Sequence, residues 1–170
     1  MKEINLPDLA NDDRCIPFMS AGVQIYNIIE WAVKFTGPVD MVNTTFSVAE
    51  EFLRAVFRMK RQGLINSAIE VADLKSAAKT LKINNLLRQV FDEVYLAENH
   101  SKVVLLSNND WKVTIITSQN QTRGNRNEAG IISSDASIYD ELFISIQDMI
   151  KSHSVRWKLG EPLPNVLNNK

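Results

Sequence analysis

Cysteine is almost absent from this chain. Cys15 is the only one among 170 residues, so no intramolecular disulfide can form and a reducing compartment is expected. Long hydrophobic runs are missing too. No apolar stretch approaches the roughly 18 residues that a membrane span needs. The N-terminal region has no basic segment followed by an apolar core, so no secretory leader is expected and the location is read as cytoplasmic. Charge of one sign is also lacking. The net charge is −1, which denies the chain a general pull toward nucleic acid or anionic membrane. Any such affinity has to come from a local patch, for which Lys102, Lys112, Arg123 and Arg126 are the candidates. Histidine is scarce, with His100 and His153 alone. There is no internal repeat and no low-complexity segment.

What is present is an ordinary globular composition, 45% hydrophobic, in a chain long enough for one domain with a real core. Residues 1–16 are polar and acidic and read as an N-terminal arm. Residues 17–152 carry the periodic segments of the domain. Residues 153–170, with Trp157, Pro162 and Pro164, read as a C-terminal tail, docked or mobile.

The periodic segments alternate. Val23 to Phe35 has apolar residues in steps of three and four, the mark of a helix with a wide buried face, and Gly37-Pro38 stops it. Val39 to Phe46 reads as a strand. Ser47 looks like an N-cap with Glu50 as its capping-box partner, opening a helix to about Arg61 that Gly63 ends. Leu64 to Leu74 contains a second strand centred on Ala68-Ile69-Glu70-Val71. Asp73 to Glu93 reads as one or two helices, with Ala78 and Leu81 among the inward positions and a break near Ile83-Asn84-Asn85. Val94 to Leu96 is a short strand. Ala129 to Ser133 is another. Asp135 caps a last helix to about Lys151, with Tyr139, Leu142, Phe143, Ile146, Met149 and Ile150 inward. Strand–helix repetition of this kind predicts an α/β fold with a mixed sheet flanked by helices.

At the centre stand two short apolar runs, Val103 to Leu106 and Val113 to Ile116, joined by the polar cluster Ser107-Asn-Asn-Asp110. Runs bounded in this way read as strands buried on both faces, and the cluster suits a hairpin turn. A hairpin is antiparallel. It therefore brings the start of the first strand, His100 and Lys102, beside the end of the second, Ser118 and Asn120. Glu128 follows in a polar loop spanning 119–128. The site so formed holds an imidazole, an ammonium, a hydroxyl, an amide and a carboxylate. A carboxylate can hold one imidazole nitrogen and leave the other free to attack or to transfer a proton. Lysine and asparagine supply donors to an anion with several oxygens. No second histidine or cysteine stands nearby, so no metal is expected. The chemistry that fits is nucleophilic or acid–base work on a phosphate ester.

The pattern His100-x-Lys102, two strands, Ser118-x-Asn120 and a downstream Glu128 resembles the phospholipase D superfamily. The likeness is most to its single-motif branch of small endonucleases. It implies a phospholipase D-like mixed sheet whose central hairpin carries the H-x-K and S-x-N residues. By position, it implies that His100 is a nucleophile forming a phosphohistidine and that Lys102 and Asn120 bind phosphoryl oxygens. Ser118 would assist them, and Glu128 would orient the imidazole. Arg123 and Arg126 become candidate substrate contacts in the polar loop. Two positions depart from the family pattern: Ser107 stands where an Asp is usual, and Thr117 where a Gly is usual. No cofactor is implied.

A phosphohistidine route needs one histidine to attack and a second group to protonate the leaving oxygen. One suitable histidine per chain therefore implies a homodimer with two His100 side chains facing one phosphate. The expected function is a metal-independent phosphodiesterase, a nuclease acting on nucleic acid or another phosphodiester. The alternative is a catalytically weak or inactive module that binds phosphate or nucleic acid.

Overall fold

The computed structural model describes residues 6–77, 83–158, 160–162 and 164. Eight strands form one sheet in the order β1-β7-β6-β5-β2-β3-β4-β8. Their ranges are β1 Cys15–Ala21, β2 Val39–Thr45, β3 Ile65–Asp73, β4 Glu93–Ala97, β5 Val103–Ser107, β6 Lys112–Thr117, β7 Asn127–Ser133 and β8 Ser154–Trp157. The helices are α1 Ile25–Thr36, α2 Glu50–Arg61, α3 Asn84–Val90 and α4 Ala136–His153, with a short 3₁₀ turn at Leu74–Ser76. β2, β3 and β4 run parallel, and the remaining neighbours pair antiparallel.

Strand periodicity divides the core between the two sheet faces. Met41, Ala68, Val104, Leu106, Val113 and Ile115 point to one face and pack under α1, α2 and α3. Val42, Val71, Val103, Leu105 and Ile116 point to the other, where α4 covers them with Tyr139 and Ile146. Burying a side chain such as Phe52 or Leu53 contributes about 1.5–3 kcal/mol. The larger face, with three helices, therefore carries most of the stability. On α4, Tyr139 and Ile146 are buried, while Leu142, Phe143, Met149 and Ile150 are only partly covered.

Several sequence expectations are corrected by tertiary contacts. Ser47 does not cap α2. The N-cap is Ala49, which makes no side-chain cap bond. The chain stays extended through Val48 because it bridges to Gln121, and Ala49 N donates to Gln121 O at 2.9 Å. The stretch read as an arm contains the first residues of β1, and Leu9 is buried against the core. Pro17 is tolerated there because β1 is an edge strand with one neighbour. Glu128 lies not in the loop but in β7, opposite Ser20 of β1. The tail contributes β8, which closes the other edge of the sheet against β4. The inward positions Ala78 and Leu81 lie outside the described residues.

One glycine is required by close approach. A Cβ at Gly130 would stand 2.3 Å from Ile116 O and 2.7 Å from the Phe18 ring, so β7 can cross between β6 and β1 only with glycine there.

Candidate active site

The topology places the C-terminal ends of β2, β3 and β6 at one edge of the sheet, together with the N-terminal ends of β5 and β7. Such an edge is where open α/β sheets bind ligands, because loops converge there over strand ends. His100 and Lys102 lead into β5, Ser118 and Asn120 follow β6, and Glu128 opens β7. The five residues thus share one end of three adjacent strands. The carbonyl of Lys102 accepts from Thr117 N at 3.1 Å, which carries the hairpin ladder right up to the site.

The segment before β5 is held by a residue that the motif does not contain. Asn99 is buried. Its backbone N donates to Asp73 Oδ2 at 2.9 Å, and its Nδ2 donates to Thr45 O and Val71 O, both at 3.3 Å. Its Oδ1 accepts from Ser101 N at 3.0 Å and from Ser101 Oγ at 2.6 Å. Thr44 Oγ1 lies 2.7 Å from Ser101 Oγ and accepts from Val103 N at 3.1 Å. These bonds fix the backbone on either side of His100 to the ends of β2 and β3. His100 itself is left exposed, its ring 5.2 Å from that of Phe46.

Lys102 Nζ donates to His100 O at 2.6 Å and lies 3.1 Å from His100 Nδ1. Partial burial lowers the pKa of the ammonium, and the Glu128 carboxylate opposes that effect. Ser118 Oγ donates to Glu128 Oε2 and accepts from Ala129 N at 3.2 Å. Glu128 is therefore engaged with Ser118 and acts on Lys102 by its charge, while the described ring contacts of His100 are with Lys102 and Phe46. Thr117 suits its position without being glycine, since its Oγ1 accepts from Gln119 N at 3.1 Å and shapes the turn out of β6.

Asn120 stands between two buried glutamines. Gln119 Nε2 donates to Val23 O at 3.2 Å, and Gln121 N donates to Thr45 Oγ1 at 3.3 Å. The Oδ1 of Asn120 is buried without a hydrogen-bond partner. That oxygen can only accept, so what Asn120 would offer a phosphoryl oxygen is its Nδ2 amide.

The arginines sit farther out. Arg123 is exposed, 3.9 Å from Glu51, on the rim of a cleft of about 450 Å³ that Gln24, Tyr26, Arg58 and Asn125 also line. Arg126 is exposed. Lys112 does not belong to the same patch: it lies at the opposite end of the hairpin, bonded to Asp140 at 2.7 Å. Ser107 is there as well, accepting from Tyr139 Oη at 2.8 Å. Its substitution for the usual Asp lies five residues, roughly 17 Å, along the strand from Lys102.

Sequence reasoning missed Asn99 and the buried trio Asn43, Glu70 and Gln121 below the site. Glu70 did carry a signal, as a lone charged residue inside an apolar strand run.

No family model and no curated protein sequence matches the chain. Solved structures do. NucT from Helicobacter pylori superposes with a TM-score of 0.61 at 14% identity, covering 82% of this chain and 98% of that one. The phosphatidylserine synthase of Haemophilus influenzae gives 0.60 at 14% identity over 92% of this chain and 42% of its own. The polyphosphate kinase of Porphyromonas gingivalis gives 0.58 at 11% identity over 84% of this chain and 24% of its own. The chain thus spans about a quarter of the kinase and less than half of the synthase, but nearly all of NucT. At these identities the likeness is one of fold.

Proposed function

We propose that this chain, which has the fold of the phospholipase D superfamily, is a phosphodiesterase of the nuclease kind working through a phosphohistidine at His100. The observation that carries the proposal is the convergence of His100, Lys102, Ser118, Asn120 and Glu128 at one end of β5, β6 and β7. Nearly full coverage of a small nuclease fold, NucT, supports it, and two other similar proteins bear names that denote chemistry on phosphate groups.

Lys102 Nζ donates a hydrogen bond to the His100 carbonyl and lies against the imidazole. An arriving phosphodiester offers it stronger, charged acceptors. The ammonium then turns to the phosphoryl oxygens and frees the ring. A nitrogen of His100 attacks phosphorus, an N–P bond forms, and the P–O bond to the leaving group breaks. Lys102 and the Asn120 amide meet the charge that grows on the equatorial oxygens. The leaving oxygen takes a proton from His100 of a second copy across a twofold axis, which is why the proposal includes a homodimer. Water then attacks phosphorus, gives up a proton to that second histidine, and breaks the N–P bond. Charge stabilisation by ammonium and amides lets these steps run without a metal ion.

Nucleic acid is the favoured substrate. Arg123 and Arg126 are exposed cations in the loop that leads from the site, as a long polyanion requires. Contacts of this kind give binding that weakens as salt rises. The test is cleavage of a chromogenic phosphodiester and of single- and double-stranded DNA in excess chelator, beside a His100→Ala control. Turnover by the wild type with none in the variant supports the proposal. Full activity in the variant removes His100 as nucleophile. Binding of DNA without any turnover favours the alternative, a non-catalytic phosphate-binding module.

A further inference from the structure

One layer below the site lies a carboxyl group that the mechanism does not use. Glu70 is fully buried in β3, on the sheet face that packs under α2. Its register neighbours are Asn43 of β2 and the apolar Val94 of β4. Asn43 Nδ2 reaches Glu70 Oε2 at 3.4 Å, and Gln121 Nε2 donates to the same oxygen at 3.2 Å. Glu70 Oε1, Asn43 Oδ1 and Gln121 Oε1 are all buried without a partner. Three unpartnered acceptors in one cluster form an arrangement short of donors. With an ionised carboxylate all three remain acceptors without a donor, whereas a protonated one supplies an O–H.

The surroundings agree. Burial pushes the Glu70 carboxyl up to about 8, with the two amides acting in the opposite direction. No charged side chain among the described residues takes part. Charges on α2 face elsewhere: Glu50 pairs with Arg54, Glu51 accepts from Tyr26, Arg58 pairs with Glu30, Lys60 with Asp92, and Arg61 is exposed. Gln121 is the residue after Asn120, and besides Glu70 it is tied to Thr45 and Ala49 through its backbone.

We propose that Glu70 is the positioning residue of this site: it holds the Gln121 side chain and through it sets where Asn120 offers its amide to a phosphoryl oxygen. This rests on Asn120 being a phosphate ligand. Neutral Glu70 gives the loop a fixed floor. Ionised Glu70 leaves an uncompensated charge beneath it, and the loop yields to admit water. Phosphate binding is therefore stronger below the Glu70 titration than above it.

The first arm of the test needs no catalysis. In the whole protein, the Glu70 carboxyl carbon and the side-chain amides of Asn120 and Gln121 are followed by NMR from about pH 6 to about pH 9.5. The expected result is one common midpoint near 8 for all three groups in the wild type. In Glu70→Gln, the two amides stay at their acid-side positions throughout. Asn120 signals that ignore the Glu70 titration, or that move identically in Glu70→Gln, overturn the proposal. The second arm is binding of inorganic tungstate, an oxyanion whose charge is constant over the upper part of this range. Wild-type affinity falls severalfold across the midpoint, and Glu70→Gln shows no such fall. Gln121→Ala, which cuts the link, weakens binding about tenfold below the midpoint and shows no step across it. An affinity step of equal size in wild type and Glu70→Gln counts against Glu70. Absence of tungstate binding in every variant defeats the phosphate-site reading instead, and the NMR arm still decides the link between Glu70 and Asn120. Should either variant fail to fold, the wild-type titration alone decides that link.

Discussion

The two ends of the β5–β6 hairpin use the same kinds of residue in opposite ways. At the turn, Asn108, Lys112 and Ser107 are all bound into the fold. Asn108 Nδ2 donates to Thr36 O and Pro38 O at 2.9 and 3.0 Å, and its Oδ1 accepts from Asp110 N and Trp111 N, both at 2.9 Å. Lys112 is bonded to Asp140, and Ser107 to Tyr139. At the other end, His100 is exposed, Lys102 Nζ is bonded to the His100 carbonyl and ring, and Asn120 keeps a buried oxygen without a partner. A lysine and an asparagine stand at each end and are indistinguishable by type, while the serines Ser107 and Ser118 are both bonded. What separates the two pairs is whether their hydrogen-bonding capacity has been used by the fold.

That contrast can be broken by experiment. The largest effect is expected at Lys102. Lys102→Ala should lower kcat/KM for a phosphodiester by about 10³-fold, near the upper end of what one oxyanion donor supplies. Lys112→Ala at the turn should leave it unchanged. Asn120→Ala comes next, with a loss of about 10²-fold and a thermal midpoint within roughly 1–2 °C of wild type, since a group without a partner adds little to stability.

Stability itself should depend on Glu70. Its folded pKa of about 8 lies above the ordinary carboxyl value of 4.5, so the native state binds more protons than the unfolded state between those limits. The contribution is full in acid and is lost as pH rises through the folded pKa. Between about pH 6 and pH 8 the loss amounts to about 2–3 kcal/mol. Melting curves should show the midpoint falling by roughly 5–10 °C over that range in wild type, and by much less in Glu70→Gln. The smallest effect is at the turn. Asn108→Ala should cost about 1–2 kcal/mol in denaturant titrations, with kcat/KM unaltered.

The hairpin, β2, β3 and the main helices were legible because each is a run of apolar residues with a clear period. The site was legible because an antiparallel hairpin must bring His100 and Lys102 beside Ser118 and Asn120. The rest depended on contacts far apart in sequence. β1 and β8 are edge strands with half-exposed, mixed residues, so they carry weak patterns of their own and exist by pairing with β7 and β4. Glu128 looked like loop because Asn127 and Glu128 extend a polar stretch, yet the ladder with β1 reaches past them. Ser47 and Glu50 had the spacing of a capping box, but the Val48–Gln121 bridge set the helix start. No local rule links Gln121 to Glu70, 51 residues apart.

The proposed covalent step at His100, on the free end of the hairpin, has a direct test. The protein is mixed with a phosphodiester in excess chelator and quenched in base, and the modified peptide is found by mass spectrometry. The expected result is an adduct on His100 that carries the phosphoryl group with its remaining ester substituent, forms as the leaving alcohol is released and before the hydrolysed monoester accumulates, and is missing from His100→Ala. Turnover with the adduct on another residue, or with no covalent adduct at any time, would contradict the phosphohistidine mechanism.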